Sequence, residues 1–278
     1  MITPHEMQTQ RDQLLEAARK RVLIMGILNV TPDSFSDGGR HAGLEAAVAH
    51  AGRMVAEGAD ILDVGGESTR PGAEPVSEAD ELARVIPVVE ALAGADRAAV
   101  SIDTYKASVA REAAKAGAVI LNDVSGLSDP DMVHVAAETG SALVVTYNRG
   151  TADGSVDAGK DMLLFFETAF QKCAAAGLAP EHVILDPGVG FAKTYEQNFA
   201  VLAHVPDLIR FECPVLIGVS RKSFIGKLFG HEVDDRLIGS LAAGLDSVRR
   251  GAHMLRVHDV REHKEAISMW EAIDYAAD

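Results

Sequence analysis

Eight short apolar runs, separated by longer amphipathic stretches, restrict the fold of this sequence more than any other feature. The runs are RVLIMGILN, DILDVGG, AVSIDT, AVILNDVSG, ALVVTYN, HVILDPGVG, PVLIGVSRK and AHMLRVHD. Their apolar residues follow one another directly instead of alternating, which is typical of parallel strands buried on both faces. The repeated order of strand and helix therefore predicts a parallel β-sheet with helices as connections.

The stretches between these runs have apolar residues at three- and four-residue spacing, and several of them end in glycine. They include GLEAAVAHAGRMVAEG, SEADELARVIPVVEALAG, KASVAREAAKAG and DMLLFFETAFQKCAAAG. Eight strand and helix units match a (β/α)8 TIM barrel, an α/β fold. We favour the barrel over a doubly wound sheet because no GxGxxG motif follows the first run. We predict an N-terminal helical extension over residues 1–20 and a single barrel domain over residues 21–278.

Composition and charge restrict the compartment and the partners of the chain. With 278 residues, 47% of them hydrophobic, the chain can bury one large core. Its formal charge of −15 would repel nucleic acid, so an anion site has to be a local cluster of cations. The two cysteines, Cys173 and Cys213, suggest no disulfide framework, and no run is long enough to span a bilayer. We expect a cytoplasmic protein without a nucleic-acid or membrane partner.

Polar side chains follow the apolar runs, at the end of each strand where a barrel places its active site. They are Asn29, Asp63, Asp103, Asn122, Asn148, Asp186, Lys222, Arg256 and His258. Any one of them could cap a helix or begin a turn, but barrel stability does not require all of them at one rim. The pattern therefore predicts a binding site at this rim.

Three of these groups suit the edge of a nitrogen-rich heterocycle. Asp103, Asn122 and Asp186 offer carboxylate and amide oxygens, and a buried carboxylate needs donors such as a ring N–H and an adjacent amine. Lys222 could donate to a ring carbonyl, although a solvated basic turn would also explain the SRKS segment.

A second group of side chains suits an anion. Arg256 and His258 alternate at the end of the eighth run, so both should point the same way. With Asn29 on the first run they form a candidate diphosphate site. The amide oxygen of Asn29 is also a suitable ligand for a magnesium ion that phosphates already chelate.

Two polar loops strengthen the functional interpretation. NVTPDSFSDGG follows the first run and GGESTRPGAEPVS follows the second. Their turn-forming residues and polar side chains cannot bury themselves, so each is either an ordinary surface turn or a substrate loop.

The order and spacing of these motifs resemble the dihydropteroate synthase family. The resemblance rests on ILNVTPDSFSDGG, DVGGESTRPGAEPVS, VSIDT, LNDVSG, ILDPGVGFAKT, GVSRKSFIG and RVHDV, from about Arg21 to the C-terminal helix. It implies a magnesium-assisted, SN1-like condensation of 6-hydroxymethyl-7,8-dihydropterin diphosphate with p-aminobenzoate, and a homodimeric enzyme. It also implies that the first polar loop is a mobile lid over the substrates.

The resemblance assigns roles to individual positions. The pterin positions are Asp103, Asn122, Asp186, Lys222 and Arg256. The p-aminobenzoate positions are Phe35, Thr69, Arg70, Pro71, Phe191, Lys222 and Ser223. The diphosphate positions are Asn29, Arg256 and His258, and Asn29 is also the metal ligand. The catalytic set is Asn29, Arg70, Lys222, Arg256 and His258.

One triplet departs from the family pattern. After the fifth run the family often has Met-His-Met or Met-His-Asn, whereas this chain has Thr146, Tyr147 and Asn148. The departure concerns the shape of one wall of the pterin pocket. Two alternatives stay open: a corrinoid-linked methyltransferase that uses a methylated folate, and a pterin-binding paralogue without catalysis. The two polar loops argue against the first of these.

Overall fold

Eight parallel strands form a closed barrel in this protein, as predicted. The structure, a computed structural model, describes residues 2–30, 39–68, 74–94 and 98–276. The strands are β1 (Leu23–Asn29), β2 (Ile61–Gly65), β3 (Ala99–Asp103), β4 (Ile120–Asp123), β5 (Ala142–Thr146), β6 (Val183–Asp186), β7 (Leu216–Ile217) and β8 (Met254–Val257). Their order is β6, β5, β4, β3, β2, β1, β8, β7, and a parallel bridge between Leu185 and Val215 brings the two ends of the sheet together.

Helices alternate with the strands in the part of the chain that the structure describes. They are α1 (Pro4–Ala18), α2 (Gly39–Ala56), α3 (Glu78–Leu92), α4 (Ala107–Ala116), α5 (Met132–Thr139), α6 (Ala158–Ala175), α7 (Tyr195–Ala203), α8 (Ser223–Phe229), α9 (Leu237–Arg249) and α10 (Val260–Tyr275). Several begin at a residue whose side chain caps the first turn. Thr3 and Thr194 form capping boxes with Glu6 and Gln197, which satisfies otherwise unpaired N–H groups.

The seventh apolar run forms a shorter strand than its sequence suggests. Strand β7 has only two residues, and the chain then leaves the sheet at Gly218. Arg221 has a φ of 56°, in the left-handed region that a β-strand cannot contain. Lys222 follows as the residue that precedes α8, so it lies on a βα loop above the strand instead of on the strand itself.

Side chains of each strand alternate between the barrel interior and the helices outside. The interior cluster contains Leu23, Met25, Ile61, Ala99, Ile120, Ala142, Val144, Ile184, Leu216 and Met254. Residues next to these in sequence, such as Leu143 and Val145, belong to the outer cluster against the helices. The same alternation directs the side chains of Asp63, Asp103, Asn122, Thr146, Asp186 and Arg256 into the barrel.

Helix α1 lies across the end of the barrel at which the strands begin. Its buried residues Met7, Leu14, Leu15 and Ala18 join the interior cluster. These side chains continue the apolar interior to the amino ends of the strands. The predicted division into an extension and a barrel domain stays a prediction, because no observation separates the two parts.

Two further expectations concern the cysteines and membranes. Cys173 and Cys213 are both buried, as expected for core residues, and neither is in a disulfide. None of the helices in the described ranges is both long and apolar enough to cross a membrane.

Candidate active site

A buried charge network lies inside the barrel at the carboxyl ends of the strands. Arg256 donates from Nε to Asp63 Oδ2 and from Nη2 to Asp103 Oδ2, both at 2.6 Å. Asn122 Nδ2 donates to the same Asp63 oxygen at 3.0 Å. Strand register produces this arrangement, because Asp103 pairs with Asn122 and with Gly65 on the strands to either side. The network fixes the orientation of Asp103 and Asn122.

The network leaves hydrogen-bonding atoms unused. Asp103 Oδ1, Asn122 Oδ1 and Thr146 Oγ1 are buried and have no hydrogen-bond partner among the residues that the structure describes. A buried polar atom without a partner is costly, so such atoms are rare in protein interiors. Their concentration at one end of the barrel is the arrangement expected where a polar ligand supplies the missing bonds.

Asp186, Lys222 and Arg256 converge on Gly218. A Cβ atom at Gly218 would lie 3.9 Å from each of Asp186 Oδ2, Lys222 Nζ and Arg256 Cβ. Asp186 Oδ1 accepts the Gly188 N–H at 2.7 Å, which orients the carboxylate. Because Gly218 has no side chain, the space between the Asp186 carboxylate and the Lys222 ammonium group stays open, as binding of a planar ring would require.

Phe191 lies beside Lys222 at the same rim. The Lys222 ammonium stands 4.4 Å from the centre of the Phe191 ring and donates to the Val189 carbonyl. Ser223 follows Lys222 as the first residue of α8 and is exposed. The structure therefore places three of the predicted p-aminobenzoate positions next to one another.

Burial changes the ionisation of these groups. It raises the pKa of the Asp103 carboxyl to about 7, against the attraction of Arg256 and with a contribution from Asp63. It also raises the pKa of Asp186, although Lys222 and the Gly188 N–H oppose this change. Burial lowers the pKa of Lys222 to about 8, although Asp186 favours its charge. Asp103 and Lys222 can therefore change charge near neutral pH.

Arg256 remains charged in this environment. Burial opposes its charge, but the carboxylates of Asp63 and Asp103 more than offset this and raise the pKa of the guanidinium. The two bonds to these carboxylates use two of its five N–H groups. The sequence predicted Arg256 as an anion ligand but did not predict its ion pairs. The ion pair with Asp63 means that Arg256 also compensates the charge of a buried carboxylate.

Asn29 ends β1 and is exposed at the rim. A Cβ atom at Gly65 would lie 3.8 Å from Asn29 Oδ1 and 3.5 Å from the Asp103 Cβ atom, so Asn29 and Asp103 flank the same glycine. No group of three or more His, Cys, Asp or Glu side chains within the described ranges could hold a metal ion by itself. One amide oxygen does fit a magnesium ion that keeps most of its ligands from waters and phosphates.

His258 lies just after β8, two residues beyond Arg256. Ser220 Oγ accepts the His258 backbone N–H at 3.1 Å and lies 3.0 Å from His258 Nδ1. Ser220 thus ties the histidine to the loop after β7 and orients its ring. The predicted diphosphate positions Asn29, Arg256 and His258 all lie on β1 and β8 or directly after β8, and these strands are neighbours in the sheet.

The unusual triplet after β5 has two separate environments. Thr146 is fully buried in the barrel, and its register partner on β6 is Asp186. Tyr147 faces outward, packs edge-on against Phe165 and donates its hydroxyl to Asp161 at 2.7 Å. Of these two residues, only Thr146 contributes its side chain to the interior wall, while Asn148 donates from Nδ2 to the Val124 carbonyl at 2.8 Å.

Some predicted positions lie outside the described residues. These are Phe35, Thr69, Arg70 and Pro71. Glu67, which precedes three of them, is held by Lys106 at 2.6 Å and by the Tyr105 hydroxyl at 2.9 Å. Lys106 also donates to the Val76 carbonyl at 2.8 Å, so one lysine binds both sides of the second polar loop.

Asp63 and Lys193 belong to this region but were not assigned a role from the sequence. The sequence predicted Asp63 only as one of the polar residues at the rim, and strand alternation also places it on the inward face of β2 with Ile61. Lys193 donates to the carbonyls of Tyr147 at 2.7 Å and Phe191 at 3.1 Å, and burial lowers its pKa to about 7. No local sequence signal indicates that Lys193 joins the loops after β5 and β6.

Comparison with known proteins gives a consistent result. The family model described as pterin binding enzyme matches residues 25–258. A dihydropteroate synthase from Escherichia coli (strain K12) is 47% identical over 255 residues, which cover 90% of this chain and 90% of that protein. The structure of the Xanthomonas albilineans dihydropteroate synthase with 4-aminobenzoic acid is similar, with a TM-score of 0.86 and 45% identity over 91% of this chain and 93% of that one. The same enzyme in complex with 7,8-dihydropteroate has a TM-score of 0.83 and 42% identity, with 91% and 94% covered.

Proposed function

The chain belongs to the dihydropteroate synthases within the pterin-binding enzyme family, and we propose that its barrel rim joins 6-hydroxymethyl-7,8-dihydropterin diphosphate to p-aminobenzoate. The products are 7,8-dihydropteroate and diphosphate. The observation that supports this proposal best is the pair of buried acceptors, Asp103 Oδ1 and Asn122 Oδ1, that have no partner among the described residues and lie at the same end of the barrel as the Asp186 carboxylate.

The pterin binds between Asp103, Asn122 and Asp186 in this proposal. Asp186 accepts from a ring N–H and the adjacent exocyclic amine, which is a bidentate match for a carboxylate. The ring occupies the space that Gly218 leaves beside Asp186 and Lys222. Arg256 orients Asp103 by its hydrogen bond, so the acceptor is in place before the substrate arrives.

The reaction begins with cleavage of the bond between the methylene carbon and the diphosphate oxygen. The electron-rich dihydropterin delocalises the positive charge that develops, so the step is SN1-like. Arg256 still has N–H groups to donate to the departing anion, and His258 lies next to it on the same rim. A magnesium ion held by Asn29 and the phosphates would add positive charge where the anion leaves.

The aromatic amine of p-aminobenzoate then attacks the methylene carbon. Its nitrogen is neutral at pH 7 and loses one proton to solvent once the C–N bond has formed, so the attack itself requires little assistance from a base. Phe191 and the stem of Lys222 provide an apolar surface for the benzene ring, and Ser223 lies next to them. Phe35, Thr69, Arg70 and Pro71 complete this pocket in the proposal. Positioning of the two substrates supplies most of the rate enhancement.

The assay that tests this function measures diphosphate release. Release should require both the pterin diphosphate and p-aminobenzoate, and dihydropteroate should form in equal amount. A pterin-binding paralogue would bind the pterin without release, and a methyltransferase would release no diphosphate. Chelation of magnesium with EDTA should abolish release, and added magnesium should restore it if the ion assists the departing group.

Two further properties are part of the proposal. We propose a homodimer, supported by four exposed apolar side chains on α8, the following turn and α9, namely Leu228, Phe229, Val233 and Ile238. Sedimentation of wild type and Ile238→Asp would test it, since a monomeric wild type contradicts the dimer. We also propose a cytoplasmic location, supported by the two buried, unpaired cysteines.

A further inference from the structure

The hydroxyl of Thr146 is an unexplained polar group in the barrel interior. Thr146 is 0% exposed, and its Oγ1 atom has no hydrogen-bond partner among the residues that the structure covers. A valine would have nearly the same shape without the cost of burying a hydroxyl. The sequence has valine at the two preceding positions, Val144 and Val145, but threonine here.

The direction of the Thr146 side chain follows from the strand. Ala142 and Val144 of β5 belong to the interior cluster, whereas Leu143, Val145 and Tyr147 belong to the outer one. Alternation therefore turns Thr146 toward the barrel axis.

The level of Thr146 in the barrel is that of the proposed pterin site. Its register partner is Asp186, and Asn122 pairs with Val144, one inward position below Thr146. The Asp186 carboxylate and the Asn122 amide oxygen thus border the threonine on the neighbouring strands. Neighbouring parallel strands lie about 4.8 Å apart, so one bound heterocycle can touch all three side chains.

We propose that Thr146 is a further specificity-determining residue, whose hydroxyl hydrogen-bonds the exocyclic amine of the pterin next to Asp186. This inference rests on the proposed function. A hydroxyl oxygen can accept a hydrogen bond. In this proposal the Thr146 oxygen accepts from the amine. The pterin edge then meets two acceptors on adjacent strands, and the buried hydroxyl gains a partner that the described residues do not provide.

The test compares wild type, Thr146→Val and Thr146→Ser by calorimetric titration. The probes are 6-hydroxymethylpterin, which cannot react, and its analogue in which hydrogen replaces the exocyclic amine. Loss of one buried hydrogen bond should weaken binding of the amine-bearing probe to Thr146→Val roughly 10-fold. Binding of the analogue should change less than about 2-fold, and Thr146→Ser should stay within about 3-fold of wild type for both probes.

Ser101→Ala is the matched control. Ser101 Oγ is also buried and has no partner within the described ranges, but Ser101 lies two residues before Asp103 on β3, one inward position deeper in the barrel. Removal of that hydroxyl should leave the affinity for both probes unchanged. Melting temperatures of Thr146→Val and Ser101→Ala should equal or exceed that of wild type, because each variant loses a buried hydroxyl for which the described part of the chain provides no partner.

The outcomes separate this inference from the proposed function. If wild type binds the pterin and Thr146→Val binds it equally well, the Thr146 assignment is wrong and the synthase function stands. An equal loss for both probes would also overturn it, since the hydroxyl would not act on the amine. If wild type binds neither probe, the pterin site itself is wrong. Thr146→Ala, measured in the same way, replaces the valine variant if the latter does not fold.

Discussion

The two ends of the barrel contain opposite kinds of side chain. At the end where the strands begin, Leu14 and Leu15 of α1 pack onto the apolar interior cluster. At the end where the strands finish, Asp63, Asp103 and Arg256 fill the same interior with charge. Leu15, Asp63 and Asp103 are all buried, so exposure of these side chains to water does not explain the difference.

The difference indicates how the barrel divides its tasks. Apolar burial at the α1 end stabilises the fold at about 25 cal/mol for each Å² that leaves water. Burial of charge at the other end costs free energy unless every group is paired, and Asp103 Oδ1 and Asn122 Oδ1 have no partner in the described part of the protein. The polar groups at the rim therefore lower the stability of the free protein, but they provide atoms that can bind substrate. Variants at the two ends should separate stability from function, with one informative exception.

Arg256→Met is the exception and should have the largest effect. It removes the cation that pairs with both Asp63 and Asp103, so two buried carboxylates lose their compensation. We expect the free energy of unfolding to fall by about 3 to 5 kcal/mol and diphosphate release to be lost. Urea unfolding at pH 7.5 and the release assay measure the two effects.

Arg21→Met is the matched control at the opposite end. Arg21 pairs with Asp60 at 2.6 Å, but its side chain is 45% exposed. The Ile24 N–H still donates to Asp60 in that variant. Loss of this surface pair should cost less than about 1 kcal/mol and leave turnover unchanged. Equal losses for the two variants would contradict the account of a buried network at the rim.

Leu15→Ala should lower stability without changing function. Leu15 is 5% exposed and packs into the interior cluster beneath the strands. Its truncation should reduce the free energy of unfolding by about 2 to 5 kcal/mol, through lost burial and the cavity left behind. Steady-state kinetics at 15 °C should match wild type. A changed KM for the pterin substrate would mean that α1 and the rim are coupled across the barrel.

Asp186→Asn should weaken substrate binding without lowering stability. The amide places a donor where the ring N–H groups need an acceptor, and the clash of buried donors should cost about 1 to 3 kcal/mol in pterin binding. The melting temperature should stay the same or rise, because burial opposes the charge of this carboxylate in the free protein. Calorimetric titration with a pterin analogue measures the affinity of the variant. An unchanged affinity would mean that Asp186 does not bind the pterin.

The fold was largely predictable from the sequence because strand and helix periods are local signals. The eight apolar runs became eight strands, and SEADELARVIPVVEALAG became α3 within a residue or two at either end. The length of β7 was not predictable in this way. The run PVLIGVSRK is apolar enough for a longer strand, but Gly218 and the left-handed Arg221 end it early.

The sequence predicted which residues lie at the site, but it did not predict which of them contact one another. Position at a strand end selected Asp103, Asn122 and Asp186, because parallel strands bring their carboxyl ends together. The pairing of Arg256 with Asp63 joins residues 193 positions apart and depends on β8 lying beside β1. The position of Lys193 between two loops depends on packing between the segments after β5 and β6, which periodicity does not report.

The smallest expected effect is a dependence on pH that only the charged end of the barrel should produce. Asp103 has a pKa of about 7 and Lys222 one of about 8, both displaced by burial. Below pH 7, protonated Asp103 presents an O–H to ring donors, and above pH 8, neutral Lys222 no longer offers a charged donor. A plot of kcat/KM for the pterin substrate against pH should therefore be bell-shaped, with each limb approaching a change of about 10-fold per pH unit.

Variants test which group produces each limb. Asp103→Asn should remove the acid limb, and Lys222→Arg should move the basic limb beyond pH 9, because arginine stays protonated. Leu15→Ala should keep both limbs in place, since the apolar end contributes no titrating group to the site. A flat profile for wild type between pH 6 and 9 would mean that neither group changes charge in the step that limits kcat/KM.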